Sequence, residues 1–231
     1  MTLKVSEIQP FARGGNRLCF VHPEDTGRCI KVRRPDFTLE DLRRKKGFPK
    51  NLKPLSSFDD NAEEYKVMTA LHKRLGEPLY QLVSRCFGFE ETDMGKGLVS
   101  ELIRDEAGSV SHTLKQVIWD EGYTEECQRA VGEFIAGWNA LGVPSRDLLV
   151  HNIVVQRCLD GSIQRLVVID GLGSSSILPD FLFPQSYFIK KAHRKTENLR
   201  ERINILLAAR AKGEFPGTHG LLMHEGIQTG K

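Results

Sequence analysis

Apolar and polar residues alternate over residues 3–8, the period-two rhythm of a strand with one buried face. Phe11-Ala12-Arg13-Gly14-Gly15-Asn16-Arg17 interrupts it as a flexible turn, and a short apolar run over 18–21 follows. Residues 22–27 concentrate turn formers, after which Cys29-Ile30-Lys31-Val32 is an apolar strand with a lysine inside it. Over 59–75 the period lengthens to that of a helix. Tyr65, Met68, Leu71 and Leu75 form its stripe, Ser57 or Asp59 offers the cap, and Gly76 stops it. Strands are predicted over 83–89 and 97–103 about a hairpin turn at 92–97. Helices follow over 113–120 and 124–140, then two short strands, 153–156 and 166–169, about Leu159-Asp160-Gly161-Ser162. A last helix spans 184–211. Strands with one helix in front and mostly helices behind define an α+β chain.

The lysine is the first residue with a chemical implication. An ammonium group inside an apolar strand is costly to bury unless it is paired. Ile30 and Val32 point to the face opposite Lys31. The natural partner is a carboxylate on the helix that follows. Glu64 lies four, seven and eleven positions before Met68, Leu71 and Leu75, on the side turned to the sheet, and Glu63 is the alternative. Taken alone, Lys31 reads more simply as an edge-strand lysine reaching solvent.

What changes that reading lies downstream. Ser145-Arg146-Asp147-Leu148-Leu149-Val150-His151-Asn152 is followed by Val168-Ile169-Asp170-Gly171. An Asp and an Asn five residues apart, then an apolar strand ending in Asp-Gly, is the pattern kinases use to accept a hydroxyl proton and hold metal ions at phosphates. A glycine-containing loop, a strand lysine, a helix glutamate, Ser100-Glu101-Leu102-Ile103 as a hinge, Asp-x-x-x-x-Asn and strand-Asp-Gly occur in the order of the protein-kinase fold. The chain resembles the protein-kinase-like superfamily.

More closely, Cys19-Phe20-Val21-His22-Pro23-Glu24-Asp25, Cys29-Ile30-Lys31-Val32, Glu91-Thr92-Asp93-Met94-Gly95-Lys96-Gly97 and Ile169-Asp170-Gly171-Leu172-Gly173 are similar to the bacterial family of the PhoP regulatory network protein YrbL. The likeness covers most of the chain, weakly over 33–58 and after Ala211. It implies a bilobal kinase-like fold: an antiparallel-sheet N-lobe with one main helix at 1–102, carrying a basic insert at 33–58, and a reduced helical C-lobe at 103–216. A flexible tail is expected over 217–231. It also implies ATP and magnesium. Lys31, held by Glu64, would meet the α- and β-phosphates, and the amides of Gly14, Gly15 and Asn16 would cradle phosphate. The backbone at Glu101 and Ile103 would receive adenine. Asn152 and Asp170 would hold the metal, and Asp147 would orient the acceptor hydroxyl.

Several positions depart from the kinase pattern. Only Gly14 falls in register with the glycine-rich loop, with Ala12 and Arg17 at the outer glycine positions. Ser145 replaces the usual His before Arg-Asp. Leu149 stands where many kinases carry a lysine that steadies the transferring phosphoryl, and His151 is a candidate for part of that charge. Asp170 is followed by Gly-Leu-Gly, without the aromatic switch. The 61 residues after Asp170 leave little for a peptide platform, so a small molecule, a compact protein surface or self-phosphorylation are all open as acceptors. A nucleotide-binding pseudokinase and an adenylyl-transferring enzyme are the alternatives.

Composition sets the remaining bounds. A net charge of +3 is too small to argue for nucleic acid, and hydrophobic content of 40% suits a globular protein. The five scattered cysteines fit neither a disulfide framework nor a zinc site, and point to a reducing compartment. No signal peptide or membrane span is evident, so a cytoplasmic location is expected. The basic run from Lys190 to Lys195, continuing to Arg200 and Arg202, reads mainly as solvated helix surface. Aromatics do not interleave with it, which disfavours a stacking surface for RNA. Trp119 and Trp138 read as core. The oligomeric state stays open.

Overall fold

An antiparallel sheet is built from β1 (Ala12–Arg13), β2 (Arg17–Val21), β3 (Arg28–Arg33), β4 (Cys86–Thr92) and β5 (Gly95–Glu101), in the spatial order β1-β2-β3-β5-β4. The computed structural model describes residues 2–173 and 183–224. In the β2–β3 ladder Cys19 sits opposite Lys31 and Arg17 opposite Arg33, so these four share one face. Phe20, Ile30, Val32 and Val99 are buried on the other face with Leu3 and Val5. Between β3 and β4 come α1 (Leu39–Lys46) and α2 (Asp60–Leu75). Asp59 rather than Ser57 caps α2, its carboxylate accepting from the Asn61 N–H at 3.0 Å.

Residues 3–8 depart from their expected strand. Leu3 makes only an isolated bridge to Thr92, and the Asp93 carboxylate accepts from the amides of Val5 and Ser6 at 2.9 and 3.2 Å. The alternation recorded a buried face correctly, because Leu3 and Val5 are core. No ladder extends, since a side chain takes the amides that would form it. Residue 83 also lies outside its expected strand: Val83 bridges Val168 instead.

The chain divides into two compact units, one comprising Met1–Ala70, Arg85–Leu102 and Leu222–Lys231, the other Leu71–Ser84 and Ile103–Leu221. The second contains α3 (Leu114–Glu121), α4 (Glu125–Leu141), a hairpin of β6 (Ile153–Arg157) with β7 (Ile163–Val168), and α5 (Gln185–Lys212). Thr113 and Thr124 cap α3 and α4 through their hydroxyls, and α4 stops at Gly142 in the left-handed conformation. Trp138, Phe188, Leu199, Leu114 and Ile118 fill the interior; Trp119 meets Phe215 edge-on.

The chain beyond α5 is fastened at least to His224. The Lys115 ammonium donates to the carbonyls of Pro216, Gly217 and His219 at 2.9, 2.7 and 3.0 Å, and Thr113 Oγ1 donates to that of Gly220. Within the first unit, the Met223 N–H donates to the Phe11 carbonyl at 2.7 Å. Much of the segment after Asp170, residues 174–182, and the end of the tail, 225–231, lie outside the described residues. No described helix is long and apolar enough to cross a membrane.

Candidate active site

In the first unit Lys31 is 7% exposed, and its ammonium donates to Glu64 Oε1 at 2.6 Å. Register explains this: with Ile30 and Val32 in the core, Lys31 must emerge on the face that α2 covers. Glu64, not Glu63, receives it. A second cation was not foreseen. Arg17 Nη1 pairs with Glu64 Oε2 and donates to Asn61 Oδ1 at 3.1 Å. Asn61 in turn donates to the Lys31 carbonyl at 2.9 Å, closing the network. Arg17 stands at an outer glycine position of the kinase loop, and its place two residues before Cys19, which lies opposite Lys31, puts it on the Lys31 face.

The β1–β2 turn carries Gly14, Gly15 and Asn16. The Gly14 amide donates to the Arg17 carbonyl at 2.9 Å, closing the turn on itself. Asn16 Nδ2 donates to Asp60 Oδ2 at 2.8 Å, tying the turn to the start of α2. At the other end of the sheet, Glu101 Oε2 accepts from the Arg85 N–H at 2.9 Å, and the Leu102 N–H donates to the Gly27 carbonyl. Ile103 belongs to the second unit, buried with Val154 and Val167, its carbonyl accepting from the Ser111 N–H at 3.1 Å.

In the second unit the 145–152 loop is held against the strand end that carries Asp170. Ser145 bridges Leu172, the Arg146 N–H donates to the Gly171 carbonyl at 3.0 Å, and the Ile169 N–H donates to the Asn152 carbonyl at 2.9 Å. Asn152 and Asp170 thereby flank the open end of the β6–β7 ladder. Gly171 makes the approach possible. It has φ 85°, and a Cβ there would lie 3.0 Å from the Asp147 carbonyl oxygen and 3.2 Å from Asn152 Nδ2, which only glycine avoids.

Asp147 is not free. Arg202 of α5 donates from Nη2 to Asp147 Oδ2, and Lys195 Nζ lies 3.9 Å from Oδ1. Both cations come from the helix face that the sequence suggested was mainly solvated surface. His151 supplies no matching charge. Burial, then the neighbouring His219 and Lys115, hold its pKa below the ordinary 6.5, with Asp170 opposing, so the neutral ring is favoured at neutral pH.

Among the described residues, no group of three or more His, Cys, Asp or Glu gathers as metal ligands. Asp170 and Asn152 offer one carboxylate and one amide oxygen, both hard donors. Such a pair suits magnesium that takes its remaining ligands from phosphate and water.

A sheet whose third strand carries a lysine paired to a helix glutamate, followed by a helical unit with the Asp147 loop and the Asp170 strand end, follows the element order of a protein-kinase-like fold. The chain belongs to the family described as PhoP regulatory network protein YrbL, whose model matches residues 3–204. It is similar to "Uncharacterized protein YrbL" of Escherichia coli (strain K12), at 27% identity over 182 residues, 77% of this chain and 76% of that protein. The protein of the same name from Shigella flexneri matches with the same figures. Among solved structures it is similar to one titled "Crystal structure of Rad53 1-466 in complex with AMP-PNP", with TM-score 0.48 and 13% identity over 90% of this chain. This chain spans 52% of that one's length.

Proposed function

We propose that this protein is an ATP- and magnesium-dependent phosphotransferase whose acceptor is a hydroxyl of a protein or a small molecule. The observation that carries the reading is the ion pair between buried Lys31 and largely buried Glu64. A buried ion pair is weak as a source of stability, and well-packed apolar side chains often serve as well or better. A lysine held at that register by a helix carboxylate has its use in gripping phosphates.

Lys31 contacts the α- and β-phosphates, and the backbone of Glu101 and Ile103 receives the adenine. The amides of Gly15 and Asn16 lie beside phosphate, with Gly14 closing the turn beneath them. Asp147 accepts the proton of the acceptor hydroxyl as its oxygen bonds to the γ-phosphorus and the bond to the β–γ bridging oxygen breaks. ADP leaves. Asn152 and Asp170 would hold magnesium, which would supply neutralisation of phosphate charge. Catalysis is mainly positioning and charge compensation.

One observation favours a second reading, a nucleotide-binding regulatory module. Arg17 and Arg202 already pair with Glu64 and Asp147, so both carboxylates carry an internal counter-charge. Mass analysis after incubation with ATP and magnesium separates the readings, with Asp147→Ala and Asp170→Ala as controls. Gain of one phosphate on the chain or an acceptor, lost in both variants, supports phosphotransfer. Gain of AMP indicates adenylyl transfer, and tight nucleotide binding without any gain indicates the module.

A further inference from the structure

Lys195 and Arg202 are seven residues apart, two helical turns, and so lie on one side of α5. Leu199 sits between them fully buried, with Ile203 and Leu206 continuing the same buried side. The two cations are therefore turned inward by the packing of the helix. Arg202 Nη2 holds Asp147 Oδ2. Lys195 donates to the Arg146 carbonyl and stands 3.9 Å from Asp147 Oδ1. Asp147 Oδ1 and Arg202 Nε are both buried without a hydrogen-bond partner among the described residues. Buried polar atoms left unpaired on two residues that otherwise pair call for an explanation.

Of Lys and Arg the loop itself carries only Arg146, and Leu149 occupies the lysine position. We propose that α5 supplies the missing charge, with Arg202 as the positioning residue for Asp147 and Lys195 as its second. This rests on the phosphotransfer reading above. Arg202 fixes the carboxylate through one oxygen, and the pair of cations places positive charge beside the point where the acceptor proton is taken.

The test is the rate of ADP release by the full chain with ATP and magnesium, water taking the γ-phosphoryl, with kcat and KM for ATP measured for the wild type, Arg202→Met, Arg202→Lys and Lys195→Met. Displacing a reacting group by about 1 Å costs about a hundredfold. A fall in kcat of about that size is expected for Arg202→Met, with KM for ATP unchanged, partial recovery in Arg202→Lys and a smaller loss in Lys195→Met. Wild-type kcat per folded molecule in Arg202→Met overturns the inference and leaves phosphotransfer standing; so does a change confined to KM. If Arg202→Met does not fold, Arg202→Lys and Lys195→Met carry the same comparison: kcat lowered at constant KM supports it, and wild-type values overturn it. Absence from the wild type of both ADP release and phosphate gain in the mass analysis above overturns the phosphotransfer reading, and this inference with it.

Discussion

Glu64 in the first unit and Asp147 in the second are each bracketed by one lysine and one arginine, yet their surroundings differ. Both oxygens of Glu64 are hydrogen-bonded, its side chain is 14% exposed, and the Lys31 side chain beside it is 8% exposed. Asp147 is 35% exposed, Arg202 30%, and one oxygen of the carboxylate has no hydrogen-bond partner. The first arrangement is a closed network whose members depend on each other for burial. The second is half open and incomplete. Loss of charge at the first should therefore damage folding, and loss at the second should damage chemistry.

Asp147→Asn is the sharpest way to break that contrast and carries the largest expected effect. Removing a general base costs about 10²–10⁴-fold in rate, so phosphotransfer should fall by that factor. Stability should change by no more than about 1 kcal/mol, because exposed ion pairs contribute little. A urea midpoint shifted strongly, with turnover per folded molecule intact, would assign Asp147 to the structural class with Glu64.

Glu64→Ala is expected to show the reverse balance. It leaves Lys31 buried and Arg17 partly buried without their counter-charge, and breaking a buried pair in this way costs about 3–5 kcal/mol. Lys31→Met should cost less, since Arg17 still satisfies Glu64, while turnover falls more than stability. Chemical denaturation of the two variants in parallel checks the order. If Lys31→Met proves the more damaging to folding, Arg17 is not the second partner it looks to be.

These expectations depend on how much the sequence could reveal. The Lys31–Glu64 pair was legible because each half follows a local period, two along β3 and 3.6 along α2, and the two periods predict facing sides. The caps at Thr113 and Thr124 sit at expected helix starts for the same reason. Arg202 was not legible as a partner of Asp147. The two are 55 residues apart, and no local rhythm relates a loop to a helix that returns beside it. The strand expected over 3–8 failed through another non-local event, the Asp93 carboxylate taking the amides of Val5 and Ser6. Local periods give faces; which faces meet is settled by packing.

Gly171→Ala should disturb the second region without removing any charge. A side chain at φ 85° costs about 1–2 kcal/mol, and the new Cβ must push on the Asp147 carbonyl or the Asn152 amide. Turnover should fall further than that destabilisation explains, because both displaced groups belong to the proposed site. Denaturation and turnover measured on one preparation give the comparison, and a fall in stability alone would limit Gly171 to a turn residue.

The smallest effect is read at Cys29, two residues from Lys31 on the same face of β3. Burial pushes its thiol from the ordinary 9.0 up to about 12, against a lowering contribution from Lys31. Only the thiolate alkylates readily. At pH 8 iodoacetamide should label Cys29 far more slowly than Cys158, which is partly exposed, and at similar rates once the chain is unfolded. The sign in alkali follows. Above about pH 9 the unfolded chain releases this proton while the folded chain keeps it, so stability declines as pH rises towards 12. That decline should be shallower in Cys29→Ala. Equal labelling of Cys29 and Cys158 in the folded protein would mean that the Lys31–Glu64 neighbourhood is open to water. The contrast with Asp147 would then lose its physical basis, because a charge network open to solvent has no need of complete pairing.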